Sequence, residues 1–166
     1  MLPSAAPANG SEFASRRLLS SNSTRLLSPP VTDVLLATDA DWIFDEVAAA
    51  LIDPDTTIRR VRAGAHVVPA AAAQAPDLVV LDLQIGNMGG VAVSLNLRLE
   101  ESKDRLPHIP VLMLLDREAD LFIAQRSDAD GWLFKPLDAF RLRRAARALL
   151  DGGGYRETTK SSTRVS

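Results

Sequence analysis

The segment PDLVVLDLQ, residues 76–84, decides the fold of this 166-residue chain. Four consecutive apolar residues, 78–81, stand between a proline–aspartate pair and Asp82. An apolar run of this length, flanked by residues that break regular structure, is typical of a strand buried on both faces. Further short runs of apolar or β-branched residues predict four more strands, at 34–37, 57–62, 111–115 and 132–134.

Amphipathic stretches separate these strands and predict five helices, over residues 40–52, 65–75, 90–103, 117–126 and 138–150. Strict alternation of strands and helices predicts an α/β fold with a five-stranded parallel sheet. Helices would cover both faces of the sheet, which gives a doubly wound, three-layer (βα)5 sandwich. In such folds, ligands bind at the carboxyl ends of the strands.

The spacing of apolar residues also predicts which helix faces are buried. Leu95 and Leu99 recur at helical spacing in the third predicted helix. Phe122 in the fourth helix and Leu150 in the fifth are likewise expected to point inward.

The composition excludes several classes of site. The chain has no cysteine, so it has neither disulfides nor a thiolate metal site, and its two histidines are far apart in sequence. No apolar run approaches the roughly 20 residues that span a bilayer, so we expect no direct membrane insertion.

Charge and composition predict three regions. Residues 1–31 form a Ser-, Pro- and Arg-rich extended arm, residues 32–151 the compact domain, and residues 152–166 a flexible basic tail. The central region is acidic, while residues 1–30 and 152–166 each carry a net charge of +2. The arm holds two short repeats that we expect to contact a partner protein through Arg17, Leu18, Leu19, Arg25, Leu26 and Leu27.

Chemistry-bearing residues follow the predicted strands. The first strand ends in Thr38 and Asp39, the third in Asp82, the fourth in Leu115 and the fifth in Lys135. Converging carboxylates repel one another unless a cation joins them, so this edge predicts a Mg²⁺-type ion with a lysine beside it. A structural alternative is that each acid only caps the helix after its strand.

The segment 76–84, the following IGNMGG, the PVLM at 110–113 and the Lys135–Pro136 pair together resemble the receiver domain of bacterial two-component response regulators. The resemblance covers residues 32–151. The chain is also similar to orphan receivers of actinobacteria.

The resemblance implies a role for each matched residue. Asp82 lies at the phospho-accepting position, and Lys135, before a cis proline, at the position that contacts the phosphoryl group. Asp39, Asp82 and the backbone carbonyl of Gln84 would ligate Mg²⁺. Trp132 falls where receivers keep their switch aromatic.

Three positions depart from the receiver pattern. Thr38 replaces the first of two acids, which predicts weak Mg²⁺ binding. Leu115 replaces a hydroxyl residue that normally bonds the phosphoryl oxygen. Gly86 replaces a proline, which is expected to loosen its loop.

Two functional hypotheses follow, and neither is an enzyme. The first is an orphan receiver with a degenerate pocket that signals by protein docking in a phosphorelay, with a histidine kinase as partner. The second is a pseudo-receiver, an unphosphorylated accessory subunit of a larger complex. Some actinobacterial orphan receivers associate with the respiratory NADH dehydrogenase (complex I), which makes that complex a candidate partner.

We expect a cytoplasmic protein that is peripheral to the membrane only through a partner. We also expect no DNA binding, because about 15 residues follow the last predicted helix.

The Asp39-Ala40-Asp41 triplet resembles the motif of haloacid-dehalogenase-type phosphatases, but the chain lacks their downstream acidic cluster. Flavodoxin-type FMN binding is disfavoured because the phosphate would meet Asp39.

Overall fold

The computed structural model describes residues 30–158. The chain divides into two units, residues 1–31 and 32–166, and the fold below is that of the second. The predicted arm and its contacts, Arg17, Leu18, Leu19, Arg25, Leu26 and Leu27, lie outside the described residues.

Strands and helices alternate along the second unit. The strands are β1 (Thr32–Ala37), β2 (Thr56–Val61), β3 (Leu78–Asp82), β4 (Val111–Leu115), β5 (Gly131–Phe134) and β6 (Tyr155–Arg156). The helices are α1 (Asp41–Leu51), α2 (Val67–Ala73), α3 (Gly90–Ser102), α4 (Leu121–Gln125) and α5 (Ala139–Leu150). Short 3₁₀ turns at Gly64–His66 and Glu118–Asp120 lead into α2 and α4.

All six strands are parallel, in the order β2-β1-β3-β4-β5-β6. Alternate side chains of each strand enter two separate apolar layers. Leu35, Leu81 and Met113 pack in the layer that contains residues of α2, α3 and α4. The layer on the other face holds residues of α1 and α5. The predicted doubly wound α/β sandwich is therefore confirmed. In the described part of the chain, no helix has the length and hydropathy needed to span a membrane.

The sheet has a sixth strand that the sequence analysis did not predict. β6 lies within residues 152–166, which were predicted to be a flexible tail, so the ordered sheet extends past the predicted boundary at 151. It pairs with β5, with Gly131 opposite Tyr155 and Trp132 opposite Arg156. A strand of two residues contains no apolar run, so no sequence pattern predicts it. Side-chain bonds to β5 and α5 hold this strand in place.

The predicted inward faces of three helices are partly wrong. In α3, the residues facing the sheet include Gly90, Val93 and Leu97. A Cβ atom at Gly90 would lie 2.9 Å from the backbone oxygen of Asp82, so this glycine lets α3 approach the end of β3 and thereby sets the rotation of the helix. Exposed against the prediction are Leu95, Leu99, Phe122 and Leu150.

Glu157 fastens the last strand to the domain. Its Oε2 accepts a hydrogen bond from the backbone N–H of Phe134 at 2.8 Å, and its Oε1 forms an ion pair with Arg141 of α5. Its backbone oxygen accepts from Trp132 Nε1 at 3.1 Å. One residue thus joins β5, α5 and the end of the chain's described part.

Glu157→Ala is expected to lower the free energy of unfolding by about 1–3 kcal/mol, because it leaves the Phe134 N–H without its acceptor and the Arg141 guanidinium without its carboxylate. Urea unfolding followed by circular dichroism measures this change. Glu157→Gln keeps an acceptor oxygen and removes the charge, so its loss should be smaller. An alanine variant as stable as the wild type would contradict the role of Glu157.

Candidate functional site

Asp82 ends β3 at the centre of the sheet and is 2% exposed. Its Oδ1 accepts hydrogen bonds from Lys135 Nζ at 2.8 Å and from the Gln84 backbone N–H at 3.1 Å. Its Oδ2 accepts from the hydroxyl of Thr38 at 3.0 Å. A carboxylate offers about four acceptor sites, so three are filled by the protein itself.

Thr38 stands at the end of β1 and is fully buried. Besides donating to Asp82, its hydroxyl accepts from the Ala40 N–H at 3.2 Å, which links the pocket to the start of α1. Its backbone oxygen accepts from Arg60 Nε at 3.1 Å. A second acid at this position would add like charge beside a buried carboxylate, whereas the hydroxyl adds a hydrogen bond.

Lys135 supplies the positive charge of the pocket. Its Nζ lies 2.8 Å from Asp82 Oδ1 and 2.9 Å from Asp116 Oδ1, and its side chain is 9% exposed. Burial acts to lower the pKa of Lys135, but hydrogen bonds to Asp82 and Asp116 outweigh it and leave the pKa above its ordinary value of 10.5. The lysine is therefore protonated at neutral pH. The bond between Lys135 and Pro136 is cis, as the resemblance implied.

Asp116 is a pocket residue that the sequence analysis missed. It directly follows Leu115, the last residue of β4, and about a third of its side chain is exposed. The signal was available, because the same rule that selected Asp82 and Lys135, a polar residue following a buried strand, also selects Asp116.

Asp39, which follows β1, contacts the loop that follows Asp82. Asp39 is exposed, and its Oδ2 accepts from the Gly86 backbone N–H at 3.3 Å. The Gly86 carbonyl in turn accepts from the Gly64 N–H at 3.0 Å. Gly86 thus provides a backbone donor that a proline would lack, while the looser loop expected of this glycine stays a prediction.

The predicted metal ligands fit a hard cation in kind. Asp39 and Asp82 offer carboxylates, and Gln84 offers a backbone carbonyl, all of them oxygen donors of the type that Mg²⁺ takes while keeping several waters. Within residues 30–158, no group of three or more His, Asp or Glu side chains is arranged to hold a metal. The donor set therefore suits a weakly held ion completed by water or phosphate oxygens.

Leu115 and Trp132 are the residues that the resemblance places at the switching positions of receivers, an assignment that stays a prediction. Leu115 is completely buried in the layer beneath α2–α4 and offers no hydroxyl. Trp132 is 6% exposed. The guanidinium of Arg156 lies 5.4 Å from the centre of the Trp132 ring, while its indole N–H is bonded to Glu157. The aromatic is therefore held by the chain's own sixth strand.

Asp41 does not replace the missing acid of the pocket. Its Oδ1 lies 2.7 Å from Arg60 Nη1 and 2.8 Å from Arg62 Nη2 at the start of α1. The hydrogen bond from Arg60, followed by that from Arg62, lowers the pKa of Asp41. Its neighbour Trp42 is half-exposed, with Lys135 Nζ 5.7 Å from the ring centre, so it forms part of the pocket's rim.

Lys135→Met is expected to lower the free energy of unfolding at pH 7 by about 3–5 kcal/mol, because it leaves Asp82 as an unpaired buried charge. The folded-state pKa of Lys135 is raised, so its contribution is complete below about pH 10.5 and declines as the pH rises through the folded-state value. The difference between variant and wild type should therefore shrink in alkali.

Denaturant unfolding between pH 7 and pH 11 measures this dependence. Lys103→Met, at a half-exposed lysine on the end of α3, is the matched control and should change stability little. A difference between Lys135→Met and the wild type that grows in alkali would contradict the assignment.

Comparison with known proteins identifies the family. Residues 34–147 match the response regulator receiver domain, so the chain belongs to that family. Sensory transduction protein RegX3 of Mycobacterium tuberculosis is 32% identical over 130 residues, which cover 75% of this chain and 53% of RegX3. The DNA-binding dual master transcriptional regulator RpaA of Synechocystis is 40% identical over 77 residues, covering 45% of this chain and 31% of RpaA. The chain spans about half or less of these relatives.

Solved structures agree with the fold. The signal receiver domain of NarL from Mycobacterium tuberculosis superimposes with a TM-score of 0.66 at 24% identity, covering 75% of this chain and 99% of that domain. At this identity the likeness establishes the fold alone. The expected receiver fold is thus confirmed.

Proposed function

We propose that this protein is a receiver that accepts a phosphoryl group on Asp82 in a degenerate pocket and acts by docking to other proteins. The observation that carries the proposal is the buried Asp82 carboxylate, paired with Lys135 at 2.8 Å at the carboxyl edge of the sheet. A buried ion pair at this edge costs desolvation, which a purely structural position would avoid with apolar residues.

The proposed reaction is a phosphoryl transfer. An Asp82 oxygen attacks the phosphorus of a phosphohistidine or acyl phosphate, the bond from phosphorus to the donor's nitrogen or oxygen breaks, and the donor leaves with that electron pair. The Lys135 ammonium stabilises the charge on the phosphoryl oxygens. Receiver domains bind Mg²⁺ at this site; here Asp39, Asp82 and the Gln84 carbonyl would hold it, and it would neutralise phosphoryl charge.

The pocket supports the acceptance of a phosphoryl group better than it supports a conformational switch in response to it. A hydrogen bond to a charged group contributes about 1.5–3 kcal/mol, and moving a two-state equilibrium from mostly off to mostly on needs about 5.5 kcal/mol. Leu115 has no hydroxyl to give that bond to a phosphoryl oxygen. Because Trp132 is also held by Arg156 and Glu157, we expect a small conformational response to phosphorylation.

Incubation with acetyl phosphate and Mg²⁺ is expected to add one phosphoryl group slowly, and Asp82→Asn should abolish the addition. Intact-mass spectrometry measures the modification, and amide chemical shifts measure the response, which should stay near the pocket. Rapid stoichiometric modification with large shifts across α4, β5 and α5 would show that the pocket is not degenerate. No modification of the wild type would contradict the proposal.

Helix α5 offers a surface for docking. Arg143 and Arg147 are exposed as predicted, Arg144 lies beside them, and no described acid forms an ion pair with these three. Phe140 on the same helix is 72% exposed. An acidic protein surface with apolar residues, in a kinase or another partner, complements this face.

The accessory-subunit hypothesis remains the alternative. Thr38 and Leu115 favour it, because a pocket that is complete without a cation can persist without phosphorylation. Complex I as the partner stays a prediction that the compared proteins do not support, since RegX3 and RpaA are named for signalling and transcription. The phosphatase alternative is disfavoured, since Asp41 is bound by two arginines.

We expect this chain alone not to bind DNA in a sequence-selective way, although RpaA is named as a DNA-binding regulator. The five described helices all contribute to the layers on the sheet, and residues 31–151 carry a net charge of −6, which repels phosphates. A gel-shift assay at physiological ionic strength tests this. A sequence-selective shift that weakens with salt would contradict it.

A further inference from the structure

Asp116 places a second carboxylate on the pocket's lysine. Lys135 Nζ contacts Asp82 Oδ1 at 2.8 Å and Asp116 Oδ1 at 2.9 Å, so the two carboxylate oxygens lie within about 6 Å of each other. The Asp82 side chain is 3% exposed, whereas that of Asp116 is 34% exposed. Asp116 therefore lies on the solvent side of the lysine, where an incoming anion would approach.

Among the described residues, the side chain of Asp116 makes no polar contact outside the pocket. In the described part of the chain it accepts no hydrogen bond other than that of Lys135. The following 3₁₀ turn is capped by Arg117 and Asp120, not by Asp116. Its ion pair with Lys135 is thus the one polar contact that it makes within residues 30–158.

A carboxylate in this place opposes phosphoryl transfer in two ways. Its negative charge repels an anionic phosphodonor as the donor approaches Asp82. It also occupies one of the three donor positions of the Lys135 ammonium, which a phosphoryl oxygen would otherwise use. Both effects destabilise the phosphorylated state and the transition state that leads to it more than they destabilise the unphosphorylated pocket.

We propose that Asp116 is a positioning residue that shares Lys135 with Asp82 and thereby slows phosphorylation of Asp82. This inference rests on the proposed function, because it concerns the rate of that transfer. The transfer itself is unchanged: the acyl phosphate's P–O bond breaks, acetate leaves with the electron pair, and a P–O bond forms to Asp82. Lys135 keeps its proton throughout.

The test compares full-length wild type, Asp116→Asn and Asp116→Ala with acetyl phosphate and Mg²⁺, following phosphoryl incorporation by intact mass. Asp116→Asn keeps an acceptor oxygen for Lys135 and removes only the charge. Both variants should be phosphorylated about ten to a hundred times faster than the wild type. Glu118→Gln is the matched control: this exposed acid lines the same 380 Å³ cavity beside Lys135, without a bond to the lysine, so its rate should rise far less than that of Asp116→Asn.

Ionic strength separates the electrostatic role from a merely structural one. Salt screens charges at an exposed site, so the advantage of Asp116→Asn should shrink as the salt concentration rises. A structural effect would appear instead as a salt-independent change accompanied by altered urea unfolding.

The possible outcomes distinguish failure of this inference from failure of the proposed function. If the wild type is phosphorylated and Asp116→Asn is no faster, the inference is overturned and the proposed function stands. A slower Asp116→Asn variant also overturns it, since Asp116 would then assist the reaction. If neither the wild type nor any variant is phosphorylated, the proposed function fails, and the inference fails with it.

Discussion

The ion pair between Asp82 and Lys135 is the constraint on which the rest of the site depends. A carboxylate that is 2% exposed needs a permanent partner, because an unpaired buried charge is costly. The partner comes from the end of β5, so β3, β4 and β5 must be aligned with their carboxyl ends together. The same alignment brings Asp116, at the end of β4, to the other side of the lysine.

The pocket's departures from the receiver pattern form one consistent arrangement. Thr38 removes a negative charge and gives a hydrogen bond, so the protein can satisfy Asp82 without a divalent cation. Asp116 adds a charge at the solvent side, and Gly86 holds Asp39 by its backbone N–H. Together these contacts leave Asp82, Asp39 and Asp116 each bonded to a donor of the protein itself, which is the basis of the weak response to phosphate that we propose.

Much of the fold and of the pocket could be predicted from the sequence, and each wrong or missing prediction has a physical cause. The strands were found because each is a short apolar or β-branched run, and Asp82 and Lys135 because polar residues after buried strands meet at one edge. The face of α3 was predicted wrongly, because the close approach of Gly90 to β3 sets the helix's rotation, and periodicity alone did not reveal it. β6 was missed because two residues leave no pattern, and its position depends on Glu157 side-chain bonds that only the folded chain brings together.

The strand order has a consequence for how the chain folds as it is made. Once β1 and β2 have paired, β3 adds to the free edge of β1, and β4, β5 and β6 each add to the edge formed by the strand just before them. During synthesis on the ribosome, every new strand therefore meets a partner that has already emerged, and no strand has to insert between two that are already paired. The growing sheet keeps a single open edge on that side, which Tyr155 and Arg156 cover last.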